Sequence, residues 1–197
     1  MPTTLQIREL RRRTGAGILH CKSALEKTRG NVDQAANRLR LEGIANAETR
    51  IARQTTEGRM ASYIHHNGRL GAIVELNCET DFVARTDDFA ILATQLAEHV
   101  AAAAPIAVTR DGIAPELIAE KAQGFEIEVR AAGKPESLVT RIVDGKLAAY
   151  FELVVFLEQR WVREPKVKIA DLINELASKT GENIQVRRFS RFHMGTA

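Results

Sequence analysis

The segment NCETDFVARTDDF, residues 77–89, lies where a strand-like run gives way to a helix-starting run. Before it, residues 60–78 hold two β-favouring runs on either side of Asn67-Gly68, a dipeptide strongly favoured in hairpin turns. After it, DDFAILATQLAEHVAAAA (residues 87–104) begins with acidic residues, which favour a helix N-terminus. The segment is therefore predicted to connect a β-hairpin to a helix.

The rest of this body mixes helices and strands without regular alternation. A helix is predicted from Pro115 to about Ala132, then a turn at GKPE, then a second helix from Glu136 towards Tyr150. A last helix, KIADLINELASKT, is expected to end at Gly181, and NIQVRRFSRF follows as a strand. We therefore predict an α+β body that contains a β-hairpin and a helical hairpin.

The first 53 residues show helical spacing instead. Apolar residues predict three short helices, and TGAG (residues 14–17) breaks the first from the second. Asn31 or one of its neighbours is expected to cap the third helix, which should end near Gly43, with IANAETRIARQ as a further helix or helical linker. The predicted domains are residues 1–53 and residues 54–197.

Composition and charge narrow the class of protein. Hydrophobic residues make up 45% of the chain, and no run approaches the roughly 18 apolar residues of a membrane span. The start has no apolar signal core, and the two cysteines form no metal-binding pattern, so we expect a cytoplasmic protein with reduced thiols. Residues 1–60 carry a net charge of +6 and the remainder −3, which suggests an acidic partner for the first part.

Signals for an enzyme are scarce. The chain has no phosphate-binding glycine loop, no GxGxxG and no GxSxG, so we expect no cofactor and no catalytic residues. His65 and His66 are expected to point to opposite faces of a strand, which makes them a poor metal pair. Four acidic residues of the opening segment match no calcium loop, so no metal site is predicted: Glu79, Asp81, Asp87 and Asp88.

Two readings of particular residues remain open. Phe82 could be a core side chain with Asp81 as a helix cap, or the pair could protrude as an anchor that enters a partner. The arginines of the tail, interleaved with Phe189 and Phe192, could bind nucleic acid together with the basic N-terminal helices, or could be the exposed face of an amphipathic strand.

Two segments of the sequence resemble the signature segments of the bacterial elongation factor Ts family. They are LRRRTGAGILHCKSAL (residues 10–25) and ELNCETDFVAR (residues 75–85), and LEQRWV, TGENIQVRRFSRF and GKPE look like further segments of that family. The resemblance implies a three-helix, ubiquitin-associated-like N-terminal domain before an α+β core. It also implies a protein that releases GDP from elongation factor Tu by contact, without covalent chemistry.

The resemblance further implies which residues meet that partner. Asp81 and Phe82, with Thr80 and Val83 beside them, would enter the GTPase near its magnesium and phosphate site. Arg11, Ile18 and Leu19 of the N-terminal domain would grip the nucleotide-binding domain, and the segment near Thr180 and Gly181 would be a further contact. His20 and Trp161 depart from residues common in the family. The length is similar to that of short, homodimerising members, so a homodimer is expected, with no direct nucleic-acid or membrane partner.

Overall fold

The computed structural model describes residues 2–14, 16 and 18–195, and for residues 42–51 it describes the backbone alone. The chain is α+β, as predicted, and its elements in order are α1 (Thr4–Thr14), α2 (Ile18–Lys27), α3 (Val32–Ile51), β1 (Glu57–Ile64), β2 (Leu70–Cys78), α4 (Asp81–Ala84), α5 (Asp87–Ala103), α6 (Pro115–Ala131), α7 (Glu136–Val154), β3 (Arg160–Trp161), β4 (Glu164–Lys168), α8 (Ile169–Thr180) and β5 (Gln185–His193).

The first three helices share a small apolar core. Their buried residues are joined by half-buried neighbours such as Ile7 and Leu39 and comprise Leu10, Cys21, Ala24, Leu25 and Ala35. The predicted cap is confirmed, because the Gln34 backbone N–H donates to Asn31 Oδ1 at 2.9 Å. Of the predicted TGAG turn, Gly15 and Gly17 lie outside the described residues.

The third helix is longer than predicted. Gly43 was expected to end it, yet α3 continues to Ile51 and includes most of the segment read as a separate linker. A glycine inside a helix costs only about 1 kcal/mol relative to alanine, which weakens a helix without stopping it. The expected end at Gly43 is therefore wrong, while the domain boundary near residue 54 stays a prediction.

The strands form two sheets. The larger sheet has the order β1-β2-β5, and the two-stranded antiparallel ribbon β3-β4 was missed from sequence because each strand is so short. The predicted hairpin at Asn67-Gly68 is confirmed: the His65 backbone N–H donates to the Leu70 carbonyl at 2.8 Å, and Gly68 adopts a φ of +67°.

The chain forms two compact units that interleave along the sequence. The first comprises Met1–Arg59, Leu76–Ile91 and Leu172–Gln185, and it holds the three-helix cluster and α4. The second comprises Met60–Glu75, Leu92–Asp171 and Val186–Ala197, and it holds the helical hairpin α6-α7. No helix in the described part of the chain combines the length and apolarity needed to cross a bilayer.

The second unit contains the predicted helical hairpin. Its turn lies at residues 132–135, where Gly133 has a φ of +68°, and Val129, Val139 and Val143 are buried between the two helices. A second apolar cluster is formed by Ala107, Ile113, Phe151 and Val155. The hydrophobic run YFELVVFLEQRW (residues 150–161) therefore packs partly on its own unit, although Leu153 stays exposed.

Candidate partner-binding site

The Asp81-Phe82 pair begins a helix of one turn directly after β2. Thr80 caps α4: its backbone is extended, with φ −127° and ψ 153°, and its hydroxyl accepts from the Val83 N–H at 3.4 Å. The chain then bends at Arg85 and Thr86 and enters α5. The predicted connection between hairpin and helix is thus itself a short, capped turn.

Phe82 is exposed. Its relative accessibility is 83%, whereas Ala84, two residues later, is buried. The reading of Phe82 as a core residue is therefore wrong. Burying a phenylalanine side chain is worth about 1.5–3 kcal/mol, so the free chain forgoes that stabilisation at this position. An aromatic ring held in water on a capped turn is suited to enter a pocket of another molecule.

Asp81 is half-exposed and forms an ion pair with Arg85. The Arg85 Nη2 to Asp81 Oδ2 distance is 2.8 Å, and the two residues lie one helical turn apart. Exposed pairs of this spacing are worth only about 0.3–0.5 kcal/mol. The pair therefore orients the carboxylate and leaves it free to exchange Arg85 for another partner.

The loop after α8 holds the turn from one side. The Glu182 carboxylate accepts from the Glu79 N–H and the Thr80 N–H, both at 3.1 Å, and from the Thr80 hydroxyl at 2.5 Å. In return, the Glu79 carboxylate accepts from the Asn183 N–H at 2.6 Å. Hydrogen bonds with an ionised acceptor are roughly twice as strong as neutral ones, so the two loops fix each other.

Arg53 ties the segment after α3 to the same place. Its Nη1 lies 3.3 Å from Glu79 Oε1 and 3.4 Å from the Gly181 carbonyl oxygen. The Asn183 side-chain amide donates to the Arg53 carbonyl at 2.9 Å, and Asn183 is buried. The predicted contacts Thr180 and Gly181 lie in this loop, where Gly181 ends α8 with a φ of +78°.

Two further contacts fix the start of α5. Thr86 caps this helix by accepting from the Phe89 N–H at 3.3 Å, and Phe89 is fully buried. Lys179 of α8 forms an ion pair with Asp88. The segments before and after the Asp81-Phe82 turn are therefore both held in place by hydrogen bonds and ion pairs.

Cys78 lies beneath the turn. Its thiol is fully buried and donates to the Thr80 carbonyl at 3.1 Å. Burial, and then the neighbouring Glu182 carboxylate, raise the pKa of Cys78 to about 11. The thiol is therefore neutral near pH 7 and serves as a small packed donor rather than a nucleophile.

The other predicted contacts lie on the three-helix cluster. Arg11 is near the end of α1, and Ile18 and Leu19 occupy the first turn of α2. All three are exposed, and Leu19 reaches 79%, while Leu25 on the same helix is buried. The structure thus places the predicted residues in two sets: Thr80–Val83 with Thr180 and Gly181, and Arg11 with Ile18 and Leu19.

The acids of the opening segment engage cations and backbone donors of the protein. Glu79 contacts Arg53 and Asn183, Asp81 contacts Arg85, and Asp88 contacts Lys179. Within the described residues, no three His, Cys, Asp or Glu side chains gather as a metal group. The prediction for His65 and His66 is wrong in its geometry, because both follow β1 in the turn with their ring centroids 4.1 Å apart.

The arginines of the tail also have partners within the protein. Arg187 and Arg188 pair with the Glu75 carboxylate at 3.7 and 2.7 Å, and Arg191 donates to the Ala101 carbonyl at 2.9 Å. On α1, Arg12 and Arg13 both pair with Glu9. The ion pairs with Glu75 and Glu9 partly offset the positive charge that the tail and α1 offer to a nucleic acid.

Sequence reasoning missed the residues that hold the turn. Glu182 and Glu79 act across more than 100 positions, a separation over which local patterns carry no information. The only signal was indirect: Glu182 follows directly on Gly181, whose position after a helical pattern predicts a chain reversal.

These features define an α+β protein with an exposed aromatic side chain on an anchored turn, and the comparisons with known proteins agree with the resemblance. The model of the family described as elongation factor TS matches residues 42–196. The chain belongs to the elongation factor Ts family.

Individual relatives match along nearly the whole chain. Elongation factor Ts of Thermotoga petrophila is 48% identical over 189 residues, which cover 96% of this chain and 94% of the relative. Elongation factor Ts of Herpetosiphon aurantiacus is 47% identical over 97% of this chain and 96% of the relative. That of Geobacter sulfurreducens is 41% identical over 98% of this chain and 89% of the relative. The chain is therefore similar in length to these relatives.

Proposed function

We propose that this protein is a guanine nucleotide exchange factor that releases GDP from elongation factor Tu in the cytoplasm during protein synthesis. Membership of the elongation factor Ts family supports the partner and the activity. The observation that carries the proposal is Phe82, which is 83% exposed on a turn fixed by Glu182 and Thr80. A large apolar ring that is exposed on a fixed support can gain the stabilisation of burial when it enters a pocket of a partner.

The proposed mechanism needs no covalent step. Phe82 enters the GTPase beside its magnesium and phosphate site and wedges side chains apart. Asp81 brings a carboxylate close to the ion shell, after exchanging its weak pair with Arg85. Because bound magnesium keeps several waters and few protein ligands, a change in its surroundings weakens nucleotide binding. By linkage, GDP weakens the binding of this protein by the same factor.

The three-helix cluster supplies a second contact in this proposal. Arg11, Ile18 and Leu19 are exposed on α1 and α2, and exposed arginine and apolar side chains are suited to contact a protein partner. Two contact regions would let the protein hold the GTPase at one place while Phe82 acts at another. Thr180 and Gly181 lie close to the Phe82 turn through Glu182.

We further propose that the protein is a homodimer. Two-fold dimers are the commonest oligomers, and they bury the same patch on both chains. The candidate surfaces are the hairpin α6-α7, where Ile127 and Leu138 are exposed, and residues 150–161, where Leu153 is exposed. Light scattering tests this proposal, since a mass of 21.8 kDa at high concentration, with exchange activity intact, would contradict it.

Release of a fluorescent GDP from elongation factor Tu tests the function directly. In a stopped-flow experiment, this protein should accelerate release, and it should neither bind nor hydrolyse GTP alone. An absence of acceleration at saturating protein would overturn the proposal. A salt series separates the alternative of nucleic-acid binding, because that binding weakens steeply with salt whereas an apolar anchor does not.

A further inference from the structure

The loop after α8 controls the Phe82 turn through one carboxylate. We infer that Glu182 is a positioning residue: it fixes the backbone of Glu79 and Thr80 and thereby sets where Phe82 and Asp81 stand. Its role is distinct from that of a contact residue, since it acts through the turn.

The bonds of Glu182 are all made at the base of the turn. One oxygen accepts from two successive backbone N–H groups, those of Glu79 and Thr80, at 3.1 Å. The other accepts from the Thr80 hydroxyl, which at the same time caps α4 by accepting from Val83. The cap and the carboxylate thus share one hydroxyl, so loss of Glu182 also loosens the first turn of α4.

The return bonds make the connection double. Glu79 accepts from the Asn183 N–H at 2.6 Å and contacts Arg53 at 3.3 Å. The two loops therefore exchange carboxylate-to-backbone bonds in both directions. A shift of the turn relative to α8 would break the bonds of Glu182 and those of Glu79 at the same time. A single bond would instead allow the turn to rotate.

Phe82 depends on this support because little else covers it. Because 83% of its surface is exposed, few contacts hold the side chain of Phe82. Its position therefore depends on the backbone of α4. A turn already in its bound conformation avoids an ordering cost when the partner binds. Removal of the support should lower the second-order rate constant for GDP release by about tenfold, which corresponds to about 1.4 kcal/mol and lies within the cost of ordering one side chain at an interface.

Two substitutions separate positioning from charge. Glu182→Gln keeps an oxygen that accepts from both N–H groups and an amide that donates to the Thr80 hydroxyl, so it should hold the turn. Glu182→Ala removes every one of these bonds. Glu175→Ala, also on the exposed surface of this unit, is the matched control.

The first measurement is amide hydrogen exchange of the protein alone, followed by NMR. In Glu182→Ala, the amides of Glu79, Thr80 and Val83 should exchange at least about tenfold faster, with amides of α1–α3 unchanged. Glu182→Gln and Glu175→Ala should retain wild-type protection. Unchanged protection of Glu79 and Thr80 in Glu182→Ala would overturn the inference.

The second measurement is GDP release, and it rests on the proposed function. Glu182→Ala should be about tenfold slower than wild type, and Glu182→Gln should restore most of the rate. In a Phe82→Ala background, Glu182→Ala should add little, because both changes remove the same anchor. If Glu182→Gln is as slow as Glu182→Ala while its amides stay protected, Glu182 touches the partner and the positioning role is wrong.

The two measurements test the role of Glu182 and the proposed function separately. If the wild-type protein accelerates no GDP release, the proposed function is wrong, and the amide protections still decide whether Glu182 holds the turn. If Glu182→Ala does not fold, Thr80→Val takes its place, since it removes the shared hydroxyl and leaves the carboxylate. Thr80→Val should keep the protection of the amides of residues 79 and 80, because the carboxylate still accepts from both N–H groups, and a loss of protection at both would overturn the inference.

Discussion

The turns at α4 and at the start of α5 use the same local chemistry and expose different residues. Each begins with a threonine whose hydroxyl accepts from the N–H three positions later: Thr80 from Val83, and Thr86 from Phe89. We call that third position inward, because Phe89 is buried there and Val83 is half-buried, and the position before it outward, because Asp88 and Phe82 are exposed there. α5 places the charged Asp88 at the outward position, and α4 places Phe82 there.

The two phenylalanines differ in burial, and Phe82 is the one that departs from the usual pattern. Phe89 is fully buried at the inward position, as an apolar side chain at that position should be. Phe82 occupies the outward position and is 83% exposed. The two phenylalanines should therefore respond to truncation in opposite ways, one in folding and one in partner binding.

The largest expected effect is on folding at the inward position. Phe89→Ala should lower the free energy of unfolding by about 3–5 kcal/mol, because it removes a fully buried ring and leaves a cavity. Urea denaturation with the m-value held constant measures the change. A loss below about 1 kcal/mol would mean that the inward position of α5 contributes no more than a surface site.

The next effect is on exchange at the outward position. Phe82→Ala should leave the free energy of unfolding within about 0.5 kcal/mol of wild type. It should weaken stimulation of GDP release by about thirtyfold or more, the value for a central anchor. Phe192→Ala, at another exposed phenylalanine, is the control and should leave release unchanged. A large loss of stability in Phe82→Ala, with GDP release still stimulated, would contradict the contrast between Phe82 and Phe89.

The same contrast can be repeated on α2, where Leu19 is exposed and Leu25 is buried. Leu19→Ala should weaken affinity for elongation factor Tu about fivefold, close to 1 kcal/mol, without a change in stability. Leu25→Ala should lower stability by about 2–5 kcal/mol. Titration of the complex by calorimetry measures the first, and equal affinity of Leu19→Ala and wild type would remove α2 from the contact.

Much of this fold could be predicted from sequence because it follows local rules. Periodicity, Asn67-Gly68 and the glycine after Thr180 indicate the hairpins and most helix ends. Gly43 misled because a glycine only weakens a helix that other residues sustain. The exposure of Phe82 could not be decided from sequence, although Phe82 lies two residues after Thr80 and Phe89 three after Thr86, because which threonine caps a helix depends on the tertiary structure.

The contacts that hold the Phe82 turn could not be predicted from local sequence patterns, for a different reason. Glu182 and Thr80 are 102 positions apart, and nothing in either neighbourhood indicates the other. The resemblance to a family pointed to Thr180 and Gly181, next to Glu182, without the bond that gives that loop its role. Long-range polar contacts of this kind depend on how the loops meet, and that is set by the whole fold.

The smallest expected effect concerns His99, which lies on α5 and is fully buried. Its Nδ1 accepts from the Val162 N–H at 3.3 Å, so the proton lies on Nε2, 3.0 Å from Gln159 Oε1. A second proton would place two donors face to face at Nδ1. Burial lowers the pKa of His99 below its usual 6.5, and the bond to Gln159 offsets this only in part.

The sign of the pH dependence follows from this lowered pKa. Below about pH 6.5, His99 becomes protonated in the unfolded chain while it stays neutral in the folded chain. The free energy of unfolding therefore falls as the pH is lowered. The free energy of unfolding should drop more between pH 7.5 and 5.5 in wild type than in His99→Gln. Equal slopes in wild type and His99→Gln would mean that the folded protein accommodates a protonated ring at this position, which would contradict the prediction.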